Sequence, residues 1–285
     1  MNTPTRLGVY GVGLVVAFAA ALGVGRLVGP QESPAPPMAG GHGETEAHAE
    51  DQQPPGGLQV GEAGYRLVPL TATLTAGAPV DFRFQVLGPD GAAVTRFTPT
   101  HTKDVHVIVV RRDLSGFQHV HPTMAADGTW SVPLTVTDAG QYRVFADFQP
   151  AGRDDNLTLG VDVPAGGAFE PRPLPAPARA TTTDGYQVEV SGDLAPGTSS
   201  RLTLRVSRNG APVTDLSPYL GAYGHLVALR AGDLAYLHVH PDEGPAGPEI
   251  AFHAEVPSAG TYRLYLDFQH GGTVRTAEFT MEAHP

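Results

Sequence analysis

One pattern of histidines occurs twice in this chain, at the same spacing. The first copy runs from His106 through Val107-Ile-Val-Val-Arg-Arg-Asp-Leu-Ser-Gly-Phe-Gln118 to His119-Val-His121-Pro122. The second runs from His225 to His238-Val-His240-Pro241. In both, the first histidine stands 13 residues before the second, and H-V-H-P closes the segment. The repeat extends outwards on both sides. Asp90-Gly-Ala-Ala-Val-Thr95 matches Asn209-Gly-Ala-Pro-Val-Thr214, and Ala139-Gly-Gln-Tyr-Arg-Val-Phe-Ala-Asp-Phe-Gln149 matches Ala259-Gly-Thr-Tyr-Arg-Leu-Tyr-Leu-Asp-Phe-Gln269. A chain built this way folds as two like domains of about 100 residues each. The expected bounds are 59–163 and 181–285.

What lies outside the copies reads differently. Residues 8 to 25 carry no charge, which is long enough to span a bilayer as a helix. Arg6 precedes this stretch and an acidic chain follows. The positive-inside rule therefore expects an anchor over 1–29, with the remainder outside the cytoplasm at the cell membrane. A cleaved signal peptide ending near Ala17-Phe-Ala19 is the competing reading, and would make the chain secreted. Residues 30–58, rich in Pro, Gly and acids and carrying His42 and His48, read as a disordered tether. Pro164 to Pro177, with its alternating prolines, reads as a stiff spacer within a second linker over 164–180.

Inside each copy the period is two. Val80-Asp-Phe-Arg-Phe-Gln-Val86 and Arg201-Leu-Thr-Leu-Arg-Val206 alternate, and Asp90-Gly91 and Asn209-Gly210 are hairpin-turn dipeptides. Turn signals recur throughout. The expected fold class is all-β: two tandem antiparallel sandwiches of the immunoglobulin-like or cupredoxin-like kind, after one N-terminal transmembrane helix. Asp138-Ala-Gly-Gln-Tyr142 and Ser258-Ala-Gly-Thr-Tyr262 resemble the tyrosine corner of immunoglobulin-like domains, where the Tyr bonds back to the preceding loop. Val144 and Leu264 stand where antibody domains carry a Cys.

Placed on strands, the histidines acquire a shared face. With Val110 opposite His119 and Ile108 opposite His121, the side chains of His106, His119 and His121 all point one way. His106 would lie diagonal to His121, about 7–8 Å away between backbones. Imidazole nitrogens bind zinc or copper at about 2 Å, so each trio could hold one ion. His225, His238 and His240 are expected to do the same. Asp147 and Asp267, at matching positions, are candidates to accept a bond from a ligand histidine and set its tautomer. His101 belongs to copy one alone, where copy two has Leu220. His253 and His270 belong to copy two alone.

Composition closes off several chemistries. The chain has no Cys, which excludes disulfides, thiolate zinc sites and the His/His/Cys blue-copper centre, and argues against iron–sulfur clusters. No G-x-S-x-G or H-E-x-x-H motif is present, and no phosphate-binding glycine loop, so an enzyme is not expected. A formal net charge of -11 with a single lysine, Lys103, argues against nucleic acid.

The tethered, cysteine-free sandwich with His106, His119-Val-His121 and their copies resembles the bacterial extracytoplasmic metal-handling domains of the YtkA-like and periplasmic copper-carrier type. The resemblance implies copper, with zinc as the alternative, in a carrier, buffer or sensor. It also implies another extracytoplasmic metal-handling protein as partner. The other reading is a non-catalytic interaction module, two immunoglobulin-like domains on a stalk, with structural histidines.

Overall fold

A computed structural model describes residues 54–242 and 244–284. The anchor and most of the tether expected from the sequence lie outside the described residues, among which no helix is long and apolar enough to cross a membrane.

The described residues are all-β, in two tandem sandwiches. In repeat 1, one sheet orders the strands Gly61–Glu62, Tyr65–Pro69, Pro79–Leu87, Trp130–Thr135 and Thr123–Met124. The other orders Leu74–Thr75, Leu157–Gly166, Gly140–Pro150, Val105–Arg111 and Gln118–Val120. Alternation places Phe82, Phe84 and Val132 of the first sheet against Val107, Val144 and Leu159 of the second. Repeat 2 does the same with Val188, Leu204 and Phe252 against Leu226, Leu264 and Phe279. Among the strands one pairing departs from the antiparallel expectation, Leu74–Thr75 running parallel to Leu157–Gly166, and in repeat 2 the single bridge of Leu194 to Ala283 is parallel as well. Both tyrosine corners close, Tyr142 Oη donating to the Asp138 carbonyl at 2.8 Å and Tyr262 Oη to that of Ser258 at 2.8 Å. Asn209 and Gly210 both take positive φ, as a type I′ hairpin requires.

The two repeats are packed face to face. The strand Val105–Arg111 buries residues on both its faces. Val105, Val107 and Val109 enter the core of repeat 1. Ile108 and Val110 point outwards, and join Phe145 in a second apolar cluster with Val227, Leu229 and Tyr265 of repeat 2. Duplication makes this interface nearly two-fold: Phe117 of repeat 1 stacks on Tyr265 of repeat 2, with ring centres 4.0 Å apart, and Tyr236 of repeat 2 packs on Phe145 of repeat 1 at 5.5 Å.

The proline-rich linker is held against this body. Phe169 lies over the Arg111 guanidinium, the Arg172 amide donates to Asp113, and Leu174 packs on the shared cluster. Gly56 and Gly57, read from sequence as tether, pair with Tyr236 and Thr158, one in each repeat.

Candidate metal centre

The histidine-bearing face of repeat 1 is the face that repeat 2 covers. The register differs by two residues from the sequence expectation: Ile108 opposes His119 and Val109 opposes Gln118. The cause is the connecting loop. The Arg111 guanidinium closes on Asp113, the Arg111 amide donates to the Ser115 carbonyl at 2.9 Å, and Leu114 adopts φ +64 to bury its side chain in the inter-repeat cluster, so the turn closes early. A slip of two preserves the face, where a slip of one would have reversed it. It also carries His121 level with His106 instead of diagonal to it.

The trio converges. His106 Nδ1 lies 3.1 Å from His119 Nε2 and 3.1 Å from His121 Nε2. One nitrogen from each ring falls within 4.8 Å of the other two. Ring centres are 5.3, 4.9 and 4.8 Å apart. Two imidazoles sharing one tetrahedral ion at about 2 Å put their ring centres about 5 Å apart, so the rings fit such an ion.

The outer nitrogens decide the inner ones. His106 Nε2 sits 2.9 Å from the Thr100 carbonyl, which only accepts, so this nitrogen carries the proton and Nδ1 of the neutral ring presents a lone pair. His119 Nδ1 sits 2.8 Å from Asp267 Oδ2, and donates to it, leaving Nε2 bare in the neutral ring. Asp267 is itself fixed by Thr276, whose hydroxyl donates to Oδ1 at 2.6 Å. Two lone pairs therefore face each other at 3.1 Å, in a site where His106 is 5% exposed. That arrangement is repulsive unless a proton or a cation lies between them. Burial holds the His106 imidazole down at about 4; burial, then the nearby His119, takes His121 to about 3. At neutral pH both rings are uncharged donors, the form a metal binds.

The second trio does not assemble. His225 repeats the part of His106, its Nε2 donating to the Tyr219 carbonyl at 2.7 Å, and burial lowers it likewise to about 4. Yet His238 and His240 are exposed. Their rings touch, with centres 4.0 Å apart, but they stand away from His225 because Val239–Pro241 joins the opposite sheet and pairs with Glu249–Glu255. The copies differ at one residue of that ladder. His240 opposes His253, and the bonds from Glu255 N to His238 O and from Asp242 N to Ala251 O show that this pair exchanges ladder hydrogen bonds. The residue of repeat 1 equivalent to His253 is Pro133, which has no N–H to donate. His121 stays beside His106, and repeat 1 joins the equivalent ladder only from Thr123, opposite Ser131.

The carboxylates follow the same asymmetry. Thr158 donates to Asp147 Oδ1 at 2.8 Å, as Thr276 does to Asp267. Asp267, however, serves a histidine of the other repeat, not of its own. Asp147 lacks the corresponding bond to His238, and burial raises its pKa. Of the histidines in single copies, His101 stands near the site, its ring centre 5.0 Å from that of His225 and 6.2 Å from that of His106. Met124 packs on the core of repeat 1.

A family model described as "Domain of unknown function (DUF8832)" matches residues 60–165 and again 180–285. No curated protein matches the chain. Among solved structures, the chain is similar to the Escherichia coli adhesin FdeC, at 16% identity and TM-score 0.25 over 78% of this chain and 64% of that one. It is similar to the Yersinia pseudotuberculosis adhesin InvE, at 13% identity and TM-score 0.25 over 76% and 58%. Domains 5-6 of the S-layer protein SbsC match at 14% identity and TM-score 0.23 over 77% and 97%. The chain spans less than two thirds of the two adhesin chains.

Proposed function

The chain belongs to that family in two copies, and from its own side chains we propose that it binds one transition-metal ion, copper, through His106 Nδ1, His119 Nε2 and His121 Nε2. The observation that carries this reading is the pair of outward hydrogen bonds, to Thr100 and Asp267, that turn lone pairs of neighbouring rings towards one point. Three imidazoles without thiolate suit copper or zinc, and copper(II) stands highest in the affinity order of the divalent ions. A bound ion would find an open position beside the three donors, as a carrier or buffer needs in order to pass it on. With the anchor expected over residues 1–29, the chain would hold its metal outside the cytoplasm at the membrane, where another metal-handling protein could exchange it.

The test is metal content of the full chain, purified without an affinity tag and equilibrated with copper or zinc. One ion per chain is expected, since one trio converges among the described residues. Failure to bind either metal at micromolar concentration would leave the tethered interaction module as the function.

The Asp267 bond makes a sharper prediction. Asp267→Asn should weaken metal binding about 10- to 100-fold, the usual effect of losing the group that orients a ligand histidine. Asp147→Asn, at the equivalent position, should leave the affinity within about twofold. Competition against a chromophoric chelator measures both.

A further inference from the structure

Two spaces meet beside the trio. Between the repeats lies a cavity of about 90 Å³ whose lining includes His101, His106, His119, His225, His238 and His240. Next to it runs a surface groove of about 830 Å³ along the Gly- and Pro-containing loop 244–248. His101, His240 and Pro241 line both. His101 and His240 are exposed, whereas His225 is 8% exposed.

We propose that His101 and His225 form a transient two-imidazole station through which the metal ion passes between the surface groove and the buried trio. The inference rests on the reading that the trio binds metal. Its basis is spacing. His101 and His225 have ring centres 5.0 Å apart, close to the separation of two imidazoles on one tetrahedral ion. From there His225 is 6.0 Å from His119, and His101 is 6.2 Å from His106. Two imidazoles binding from opposite sides reach about 6 Å between centres, so each step lets an ion acquire its next ligand before leaving the last. His225 is turned for this use, because its Nε2 is committed to Tyr219 and its free nitrogen is Nδ1.

The fold does not require the histidine at 101. His101 and Thr102 occupy a tight turn with φ +47 and +67, and the turn is closed by two backbone bonds between Thr100 and Lys103. Repeat 2 builds the same turn with Leu220 and Gly221 at φ +51 and +82. Leu therefore serves where His stands, in the left-handed conformation that β-carbon residues seldom adopt. The second repeat also supplies His225 without its own partner histidines, which would leave it free to act as a passing ligand.

The experiment is stopped-flow loading of the full chain with copper(II), followed by release to excess EDTA, in wild type, His101→Leu and His101→Asn. The first variant copies the equivalent residue of repeat 2, and the second tolerates the left-handed turn. Both should slow loading and release by the same factor, about tenfold, with stoichiometry kept at one and Kd within twofold. A path residue lowers the barrier in both directions and leaves the end state alone. Unchanged rates would overturn the proposal, as would a changed Kd, which would make His101 a ligand. If wild type binds no copper, the trio reading fails as well; binding with unchanged rates sinks the path alone.

Discussion

The double variant His119→Ala/His121→Ala is expected to lose the bound ion, while His238→Ala/His240→Ala keeps one ion per chain at unchanged affinity. From sequence the two pairs are the same object, H-V-H-P, 13 residues after a histidine. In the fold only the first pair lies within 3.1 Å of a partner ring from its own repeat's leading histidine. The second is spent on the opposite sheet, with His240 facing His253. Structural zinc sites draw about 10–16 kcal/mol from four ligands, so deleting two of three donors costs roughly 5 kcal/mol, near 10⁴-fold in Kd. Titration followed by equilibrium dialysis reads both variants. Equal losses from the two pairs would put the ion somewhere other than the trio.

The second large effect concerns stability. Tyr265→Ala is expected to destabilise the chain by about 3–5 kcal/mol, the cost of removing a buried aromatic ring from a packed core. Tyr265 is fully buried, stacks on Phe117 with an interplanar angle of 7°, and donates from Oη to the Leu114 carbonyl at 2.7 Å. Both partners belong to repeat 1, so the loss falls on the contact between repeats. Tyr265→Phe keeps the stack and leaves one buried carbonyl unpaired, for about 1–3 kcal/mol. Chemical denaturation of both variants separates the two contributions. A change below 1 kcal/mol for Tyr265→Ala would mean that the repeats are not held together at this cluster. Because Asp267 reaches His119 across the same interface, the metal affinity of Tyr265→Ala should fall with its stability.

Much of this could be read before any coordinates. Alternation in Val80–Val86, the two tyrosine corners and the doubled histidine pattern are properties of neighbouring residues, and local periodicity suffices to call strands and their faces. The convergence of His106, His119 and His121 survived an error of two in register because side-chain direction depends only on parity. Pro133 was also visible in the sequence, as a departure from repeat 2 that removes a ladder donor. Its weight appears only when His240 is seen opposite His253.

The chain's own order of residues thus determined the β class, the duplication and the single face shared by three imidazoles. Tertiary structure alone decided that this face is buried against the other repeat, that Asp267 orients a histidine 148 residues away in sequence, and that one trio gathers while its copy does not. The physical reason is range. Strand period and turn chemistry act over a few residues, whereas an interface between two sheets is chosen by apolar surfaces and hydrogen-bond donors that meet only when both domains have folded.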